Sequence, residues 1–516
     1  MIKDSKYRLL NLQIDEGTNI SINKDLEDLR NKKNIWISND IEPFNRLGWI
    51  NKFESTISVI DKCTKVARDI EQRNPSSIVF IGMGGSIQTA KVIQQYLNSY
   101  DKHFTIDTTN PEVIDGMVQQ LDLKSTIFIV MSKSGTTLET ENLMHFFIKM
   151  IKDSGIKNFG GHFISISDKE TPLQSFAEKN SFLHILEGSK DVGGRFSSAT
   201  AFGVLPALIM GIKPEAIMKI NDKDEVNKKA IKLTALLLNS IKNKKRILID
   251  LMPELYKWIE QLIAESSGKD GTGIIPLNYA FNGETRNLHD KSATTPIITD
   301  RIDKYLDLKI TTPILMVGCV KDNINNVFQD MLAWQISVSI ACKTLGVFPF
   351  DEPDVQSSKI NTLKILNDSN QYSDGWIEEN ISNSSIEEIL ELFSKKSSKE
   401  KLIYINAYTS DFLNNVSDTS CNLRDVTNKM KSKYWHYDYV VGYGPSYLHS
   451  TGQLQKGGPK AKFIYLYSDT SDYRDKPMYA DLQRIFQSQL IGDFKAIQKL
   501  RRTVYIIERS KALKWK

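Results

Sequence analysis

The feature that most narrows the possible fold is the run Ile127-Phe128-Ile129-Val130-Met131 together with the hydroxyl-rich segment beyond it. An unbroken apolar run rich in β-branched residues is the pattern of a strand covered on both faces, as the strands of parallel sheets are. It stops at Ser132-Lys133-Ser134-Gly135-Thr136-Thr137. Beyond that loop Met144, Ile148 and Ile151 fall at helical spacing, with Glu139 and Glu141 in the first turn, where negative charge suits a helix N-terminus. The element reads as strand, hydroxyl-rich loop, helix. Such a loop gathers backbone N–H groups, hydroxyls and one ammonium around a single point, a ready anion site with phosphate as the obvious guest. The order G-x-x-x-x-G-K-[ST] of a Walker A loop is missing. An ordinary βα turn with a hydroxyl cap would look the same over this segment alone.

The same unit repeats along the chain. Strands are expected at 78–81, 104–108, 127–131, 162–167 and 182–186, alternating with helices from 53 onwards, which argues for a parallel sheet with helices on both faces. From about 221 a second such domain is expected, with strands at 246–251, 313–319, 402–407, 439–441, 463–467 and 504–507. The fold class is therefore α/β, two doubly wound α-β-α sandwich domains with mainly parallel sheets. Their expected bounds are 51–215 and 221–510, after an N-terminal extension at 1–50 that packs on the body. Residues 358–400, rich in Ser, Asn, Lys and Glu, read as a surface excursion with one helix at 386–393.

The glycine turn Gly82-Met83-Gly84-Gly85-Ser86 has two readings. Its spacing is G-x-G-G-S rather than the dinucleotide fingerprint G-x-G-x-x-G, which disfavours a nicotinamide cofactor. Adjacent glycines let a backbone approach a ligand closely, or they serve a tight turn alone. Ligands of doubly wound sheets sit beyond the carboxyl ends of strands, where both Ser86 and the Ser132 loop fall.

Composition excludes several classes. The 516 residues are 41% hydrophobic and 25% charged with a formal charge of +5, and the basic residues are scattered, so nucleic-acid binding is not indicated. The start lacks an apolar signal core, and the longest uncharged stretch, 196–212, contains Pro206 and two glycines and falls short of a membrane span. Cys63, Cys319, Cys342 and Cys421 show no C-x-x-C pairing and read as reduced residues of a cytoplasmic protein.

Three residues stand out as candidates for chemistry. Glu265 sits where a helix meets a Gly-Lys turn, a place where a carboxylate can be held rigid and partly dehydrated, although most glutamates at helix ends are solvated. Gly193-Gly194-Arg195 suggests a guanidinium aimed at an edge site, or a surface salt bridge. His449 lies in a glycine-rich loop among hydroxyls and amides, as a proton donor near neutral pH or as a solvated loop histidine. No compact carboxylate–histidine cluster suggests a metal.

In combination these segments are specific. G-M-G-G-S (82–86), S-K-S-G-T-T-L-E-T (132–140), V-G-G-R (192–195), E-S-S-G-K (265–269), P-F-D-E-P-D-V-Q-S-S-K (349–359) and H-S-T-G-Q (449–453) occur in that order. From about residue 30 to about 500 the chain resembles the glucose-6-phosphate isomerase family, built from two sugar isomerase (SIS) domains. It is similar to the isomerase half of fused transaldolase/glucose-6-phosphate isomerase proteins, without the transaldolase half.

The resemblance implies reversible conversion of glucose 6-phosphate to fructose 6-phosphate by ring opening and proton transfer through a cis-enediol, with no cofactor. It implies Gly85, Ser86, Ser132, Lys133, Ser134 and Thr137 as substrate- and phosphate-binding positions. It makes Glu265 the base that moves a proton between C2 and C1, and Arg195 the stabiliser of the developing negative oxygen. His449 assists ring opening and, in the family, is contributed by the neighbouring subunit, which implies a homodimer. The family's C-terminal motif, Q-x-G-V-x-L-G-K, carries a lysine that touches the sugar ring. Gln489 is set against its glutamine and Lys495 against its lysine, although Gln489-Leu490-Ile491-Gly492-Asp493-Phe494-Lys495 is one residue short of that spacing. The expected partner is a small sugar phosphate, with no nucleic acid and no membrane. The alternatives are dual action on mannose 6-phosphate and a non-catalytic sugar-phosphate-binding SIS protein. Glu265, Arg195 and His449 together speak against the second, because a sensor needs the loop but no base.

Overall fold

The computed structural model describes residues 7–36, 46–50, 53–282, 295–301, 312–317, 324–367, 374–395, 400–409, 430, 433–434 and 436–508. One strand, β1 (Tyr7–Leu10), stands ahead of the alternating unit. That unit begins with β2 (Ser77–Gly82), β3 (His103–Ile106), β4 (Thr126–Met131), β5 (Phe163–Ser167) and β6 (His184–Glu187). They form a parallel sheet in the order β3-β2-β4-β5-β6, with the apolar run at its centre. Strand side chains alternate between faces, so Val79, Ile81, Phe128 and Val130 pack with Leu143 and Phe147 of the helix Leu138–Asp153. Ile78, Phe80, Ile127 and Ile129 pack on the other face with Val92 and Ile93 of the helix Gly85–Leu97. Burial on both faces is why no polar residue interrupts the run; each such side chain contributes on the order of 2 kcal/mol.

Where one sheet is expected after residue 221, two occur. The first holds β7 (Arg246–Asp250), β8 (Ile275–Asn278), β9 (Ile297–Thr299) and β10 (Ile314–Val317), in the order β1-β10-β9-β7-β8. The second holds β11 (Leu402–Tyr408), β12 (Asp438–Tyr443), β13 (Lys462–Tyr467) and β14 (Thr503–Glu508), in the order β12-β11-β13-β14. The side chain of Asn282 explains the break. Its Nδ2 donates to Tyr439 O at 2.8 Å and its Oδ1 accepts from Tyr439 N at 2.9 Å, so an amide stands in for the missing strand neighbour of β12. β8 and β9 are too short, and β8 too interrupted by Pro276, to read as strands. β1, inside the expected N-terminal extension, pairs with β10 in the one antiparallel ladder among the described strands.

The stretch 358–400 is not all surface. The helix Gln356–Asn367 lies along the helix Ala480–Lys499 and buries Ser358, Asn361, Thr362 and Ile365. Gly492 permits this approach, since a Cβ there would stand 2.6 Å from Thr362 Oγ1. The contact is made by small polar residues, which is why composition alone suggests a solvated segment. Cys63 and Cys342 are buried and free. Cys319, Cys421 and the far end of the strand expected at 313–319 lie outside the described residues. No helix among the described residues is long and apolar enough to cross a membrane.

Candidate active site

A cleft of about 350 Å³ opens beyond the carboxyl ends of β2 and β4. Gly84, Gly85 and Ser86 line one wall, and Lys133, Ser134 and Thr137 line the floor. The glycines are required by close approach. Gly84 has φ +52°, and a Cβ on it would stand 2.8 Å from His449 O; on Gly85 it would reach 2.2 Å from the carbonyl of Gly194. The glycine turn is therefore where the V-G-G-R and H-S-T-G-Q segments meet the first sheet.

Glu265 lies near the end of the helix Pro253–Ser267, with its side chain 13% exposed. Gln261 Nε2 donates to its Oε2 at 3.1 Å, and Arg195 Nη1 stands 3.4 Å away. Burial pushes the Glu265 carboxyl above its ordinary range; Arg195 opposes that rise and the like charge of Glu352 adds to it. Arg195 is buried and fully engaged. Its Nε donates to Ser266 Oγ at 3.0 Å, its Nη2 to Pro349 O at 2.6 Å and Asp351 O at 3.0 Å, and its Nη1 to Glu352 Oε2 at 3.2 Å. Two carboxylates thus share Nη1 of one guanidinium. Burial acts to raise Glu352 as well, but Arg195, with Lys359 and Arg46, outweighs it and holds Glu352 below the ordinary range. The rest of E-S-S-G-K is accounted for: Lys269 Nζ binds Phe348 O and Asp351 Oδ1, which fixes the segment carrying Glu352, and Gly268 leaves room for Leu454.

His449 enters the cleft from its own chain. Gln261 Nε2, the group that binds Glu265, donates to His449 O at 2.9 Å, and His449 Nε2 lies 2.9 Å from Glu139 Oε1. Where the resemblance implies a histidine from a neighbouring subunit, the loop carrying His449 is tied here to the helix that bears Glu265 of its own chain. Glu139 is buried at the start of the helix after the Ser132 loop. Burial acts to raise its carboxyl, but the charge and hydrogen bond of His449 outweigh it and hold Glu139 below the ordinary range. Gln489 Nε2 also donates to Glu139, and Thr109 Oγ1 donates to Gln489 Oε1 at 3.1 Å. Gln489 thus stands behind Glu139 rather than in the cleft.

Among the expected binding residues, Lys133 binds Asp168 and donates to Ser189 O at 2.9 Å, and burial holds its ammonium below the ordinary range. Ser132 is buried, its Oγ 3.0 Å from Thr137 Oγ1, and faces a smaller cavity of about 160 Å³ behind the loop. Lys495 is not at the cleft; it lies over the Trp376 ring at 5.5 Å, in a surface depression with Lys364 and Lys499.

Residues 56–227 match the family model for phosphoglucose isomerase. Over 422 residues the chain is 25% identical to a glucose-6-phosphate isomerase of Mycoplasma capricolum, covering 68% of this chain and 97% of that protein. A glucose-6-phosphate isomerase of Campylobacter jejuni is 24% identical over 64% of this chain and 94% of its own length. The family-model match spans a third of this chain, and the two relatives extend the similarity over about two thirds of it. The chain's fold is shared by a glucose-6-phosphate isomerase of Chlamydia trachomatis, with a TM-score of 0.54 and 16% identity over 76% of this chain and 92% of the other.

The family's C-terminal motif is better met elsewhere than at Gln489. Glu352-Pro353-Asp354-Val355-Gln356-Ser357-Ser358-Lys359 keeps the valine and the lysine of Q-x-G-V-x-L-G-K in register, with glutamate in place of glutamine. Both Glu352 and Lys359 line the cleft. Sequence reasoning missed them although the seven-residue spacing was there to be read. Glu139 was legible only as a helix-start acid; its role against His449 needs the fold.

Proposed function

We propose that this chain interconverts glucose 6-phosphate and fructose 6-phosphate. The carrying observation is that Glu265, Arg195, Glu352 and His449 line the cleft on whose floor lies the Ser132–Thr137 loop. The phosphate sits at the loop and the start of the following helix, where Ser86, Lys133, Ser134 and Thr137 receive it and hold the reacting carbons within reach of the base. His449, with Nε2 on Glu139, passes a proton to the ring oxygen as its bond to C1 breaks and the C1 hydroxyl releases its proton to solvent to leave the aldehyde, and Lys359 contacts the sugar. Glu265 then removes the C2 proton and returns it to C1. A carboxyl raised by burial is a stronger base than an exposed one and suits this step.

Arg195 Nη1 meets the negative oxygen of the enediolate. For that, Glu352 gives up its place on Nη1; its side chain, 41% exposed against 13% for Glu265, is the more solvent-accessible of the two carboxylates there. A homodimer and a cytoplasmic site of action are proposed on the resemblance, with His449 acting within its own chain.

The test is a coupled assay of the purified protein on glucose 6-phosphate, fructose 6-phosphate and mannose 6-phosphate. Turnover of the first two is expected. Inactivity on all three with phosphosugar binding intact would replace this reading by the sensor reading.

A further inference from the structure

The run Gln489 to Lys495 leaves a buried charge unaccounted for. Asp493 is fully buried in the helix Ala480–Lys499. Its Oδ1 accepts from Ser358 Oγ at 2.8 Å and lies 2.7 Å from Lys456 Nζ; its Oδ2 accepts from Tyr447 OH at 2.6 Å and from Tyr465 OH at 2.5 Å. Those contacts use the full accepting capacity of a carboxylate. Burial acts to raise Asp493, and Lys456 outweighs it, so the group is held ionised.

The partners are the neighbours of the reactive groups. Tyr447 and Lys456 lie on either side of His449, in the Ser446–His449 turn and the Gly452–Gly457 helix. Ser358 precedes Lys359. One helical turn before Asp493, Gln489 donates to Glu139, which receives His449 Nε2. We propose that Asp493 is a positioning residue for ring opening, holding the segment of His449 from behind, through Tyr447 and Lys456, without touching the sugar. This rests on the isomerase reading.

Three variants test it: Asp493→Asn, the double variant Asp493→Asn/Lys456→Met, which removes both buried charges, and Tyr447→Phe, which removes one donor. Each is assayed on cyclic glucose 6-phosphate and, by calorimetry, for affinity towards an acyclic six-carbon sugar-acid phosphate that needs no opening. The expected kcat loss is roughly 10- to 100-fold for the Asp493 variants and several-fold for Tyr447→Phe, with KM and open-chain affinity within about twofold of wild type. Crystals of the variants should show Ser446–Gly457 displaced and His449 drawn off Glu139.

Wild-type kcat in a folded Asp493 variant overturns the proposal, and so does an equal loss of open-chain affinity, which would mark Asp493 as a general strut. If Asp493→Asn does not fold, the double variant and Tyr447→Phe decide by the same readings. A wild-type protein inactive on every hexose phosphate would sink the isomerase reading instead. The crystals would then decide the positioning by themselves, and an unmoved His449 would overturn it.

Discussion

The two ends of the cleft are built on opposite plans. At the end proposed for the phosphate the lining comes from short runs within 84–86 and 133–137, each leaving the carboxyl end of a strand of one parallel sheet. At the reactive end Arg195, Glu265, Glu352 and His449 come from separate elements, and the hydrogen bond that ties the helix of Glu265 to the His449 loop spans 188 residues. The first plan sets its lining groups by the local backbone geometry of two strand-to-helix turns. The second is set by long-range contacts, so its chemistry depends on buried polar groups outside the cleft, such as Glu139, Gln489 and Lys269.

The sharpest way to break this division is to remove the base. Glu265→Gln keeps the size of the side chain and its place beside Gln261 but cannot accept the C2 proton. Turnover is expected to fall by about 10³-fold or more, within the range of a general base. Affinity for an open-chain sugar phosphate, measured by calorimetry, should stay within a few-fold because the loop is untouched. Wild-type turnover in this variant would mean that the base is another group.

The next prediction concerns which chain supplies the histidine. His449→Asn should lower turnover of the cyclic sugar by roughly 10²-fold, as loss of a general acid does. Mixing and reassorting Glu265→Gln with His449→Asn separates the two arrangements. With His449 working in its own chain no intact site forms and the mixture stays inactive. If His449 worked across a dimer interface, heterodimers would hold one intact site and about a quarter of wild-type activity would return. Recovered activity would falsify the within-chain arrangement.

The same contrast explains what could be read from the sequence. Strands β2 and β4 and their loops were legible because a doubly covered strand has a one-dimensional signature. Glu265, Arg195 and His449 were legible only through motif order, since nothing local distinguishes them from a solvated acid, a surface cation and a loop histidine. The shared guanidinium nitrogen, the Glu139–His449 contact and the split of the second region into two sheets were not legible. Each depends on one side chain meeting a partner far along the chain, as Asn282 meets Tyr439. The placement of Gln489 and Lys495 failed for a different reason: their spacing was one residue short, while 352–359 matched it with a glutamate at the first position.

A smaller effect is expected from Glu352→Gln. The negative charge of Glu352 contributes to raising Glu265, so its removal lowers the Glu265 pKa. Glu265 must be ionised to act, so the acid limb of the kcat/KM profile should move to lower pH. An acid limb that stays put, or moves up, would show that the two carboxylates do not share Arg195 in the free enzyme, whose ionisations the kcat/KM profile reports.

The smallest effect separates the two candidate lysines. Lys495 lies outside the cleft, half-buried, and its contact with the Trp376 ring is worth on the order of 1 kcal/mol of stability. Lys495→Ala should leave kcat and KM within about twofold of wild type, as surface substitutions remote from a site do. Lys359→Ala removes a cation that lines the cleft beside Glu352, and kcat/KM should fall about tenfold or more, the loss of one charged contact to a bound sugar. The pair matters more than either variant, because both lysines sit on helices packed against each other, and a purely structural disturbance would affect them alike. Equal losses would return Lys495 to the site and the C-terminal motif to Gln489; a loss confined to Lys359 keeps the reactive end assembled from 195, 265, 352, 359 and 449.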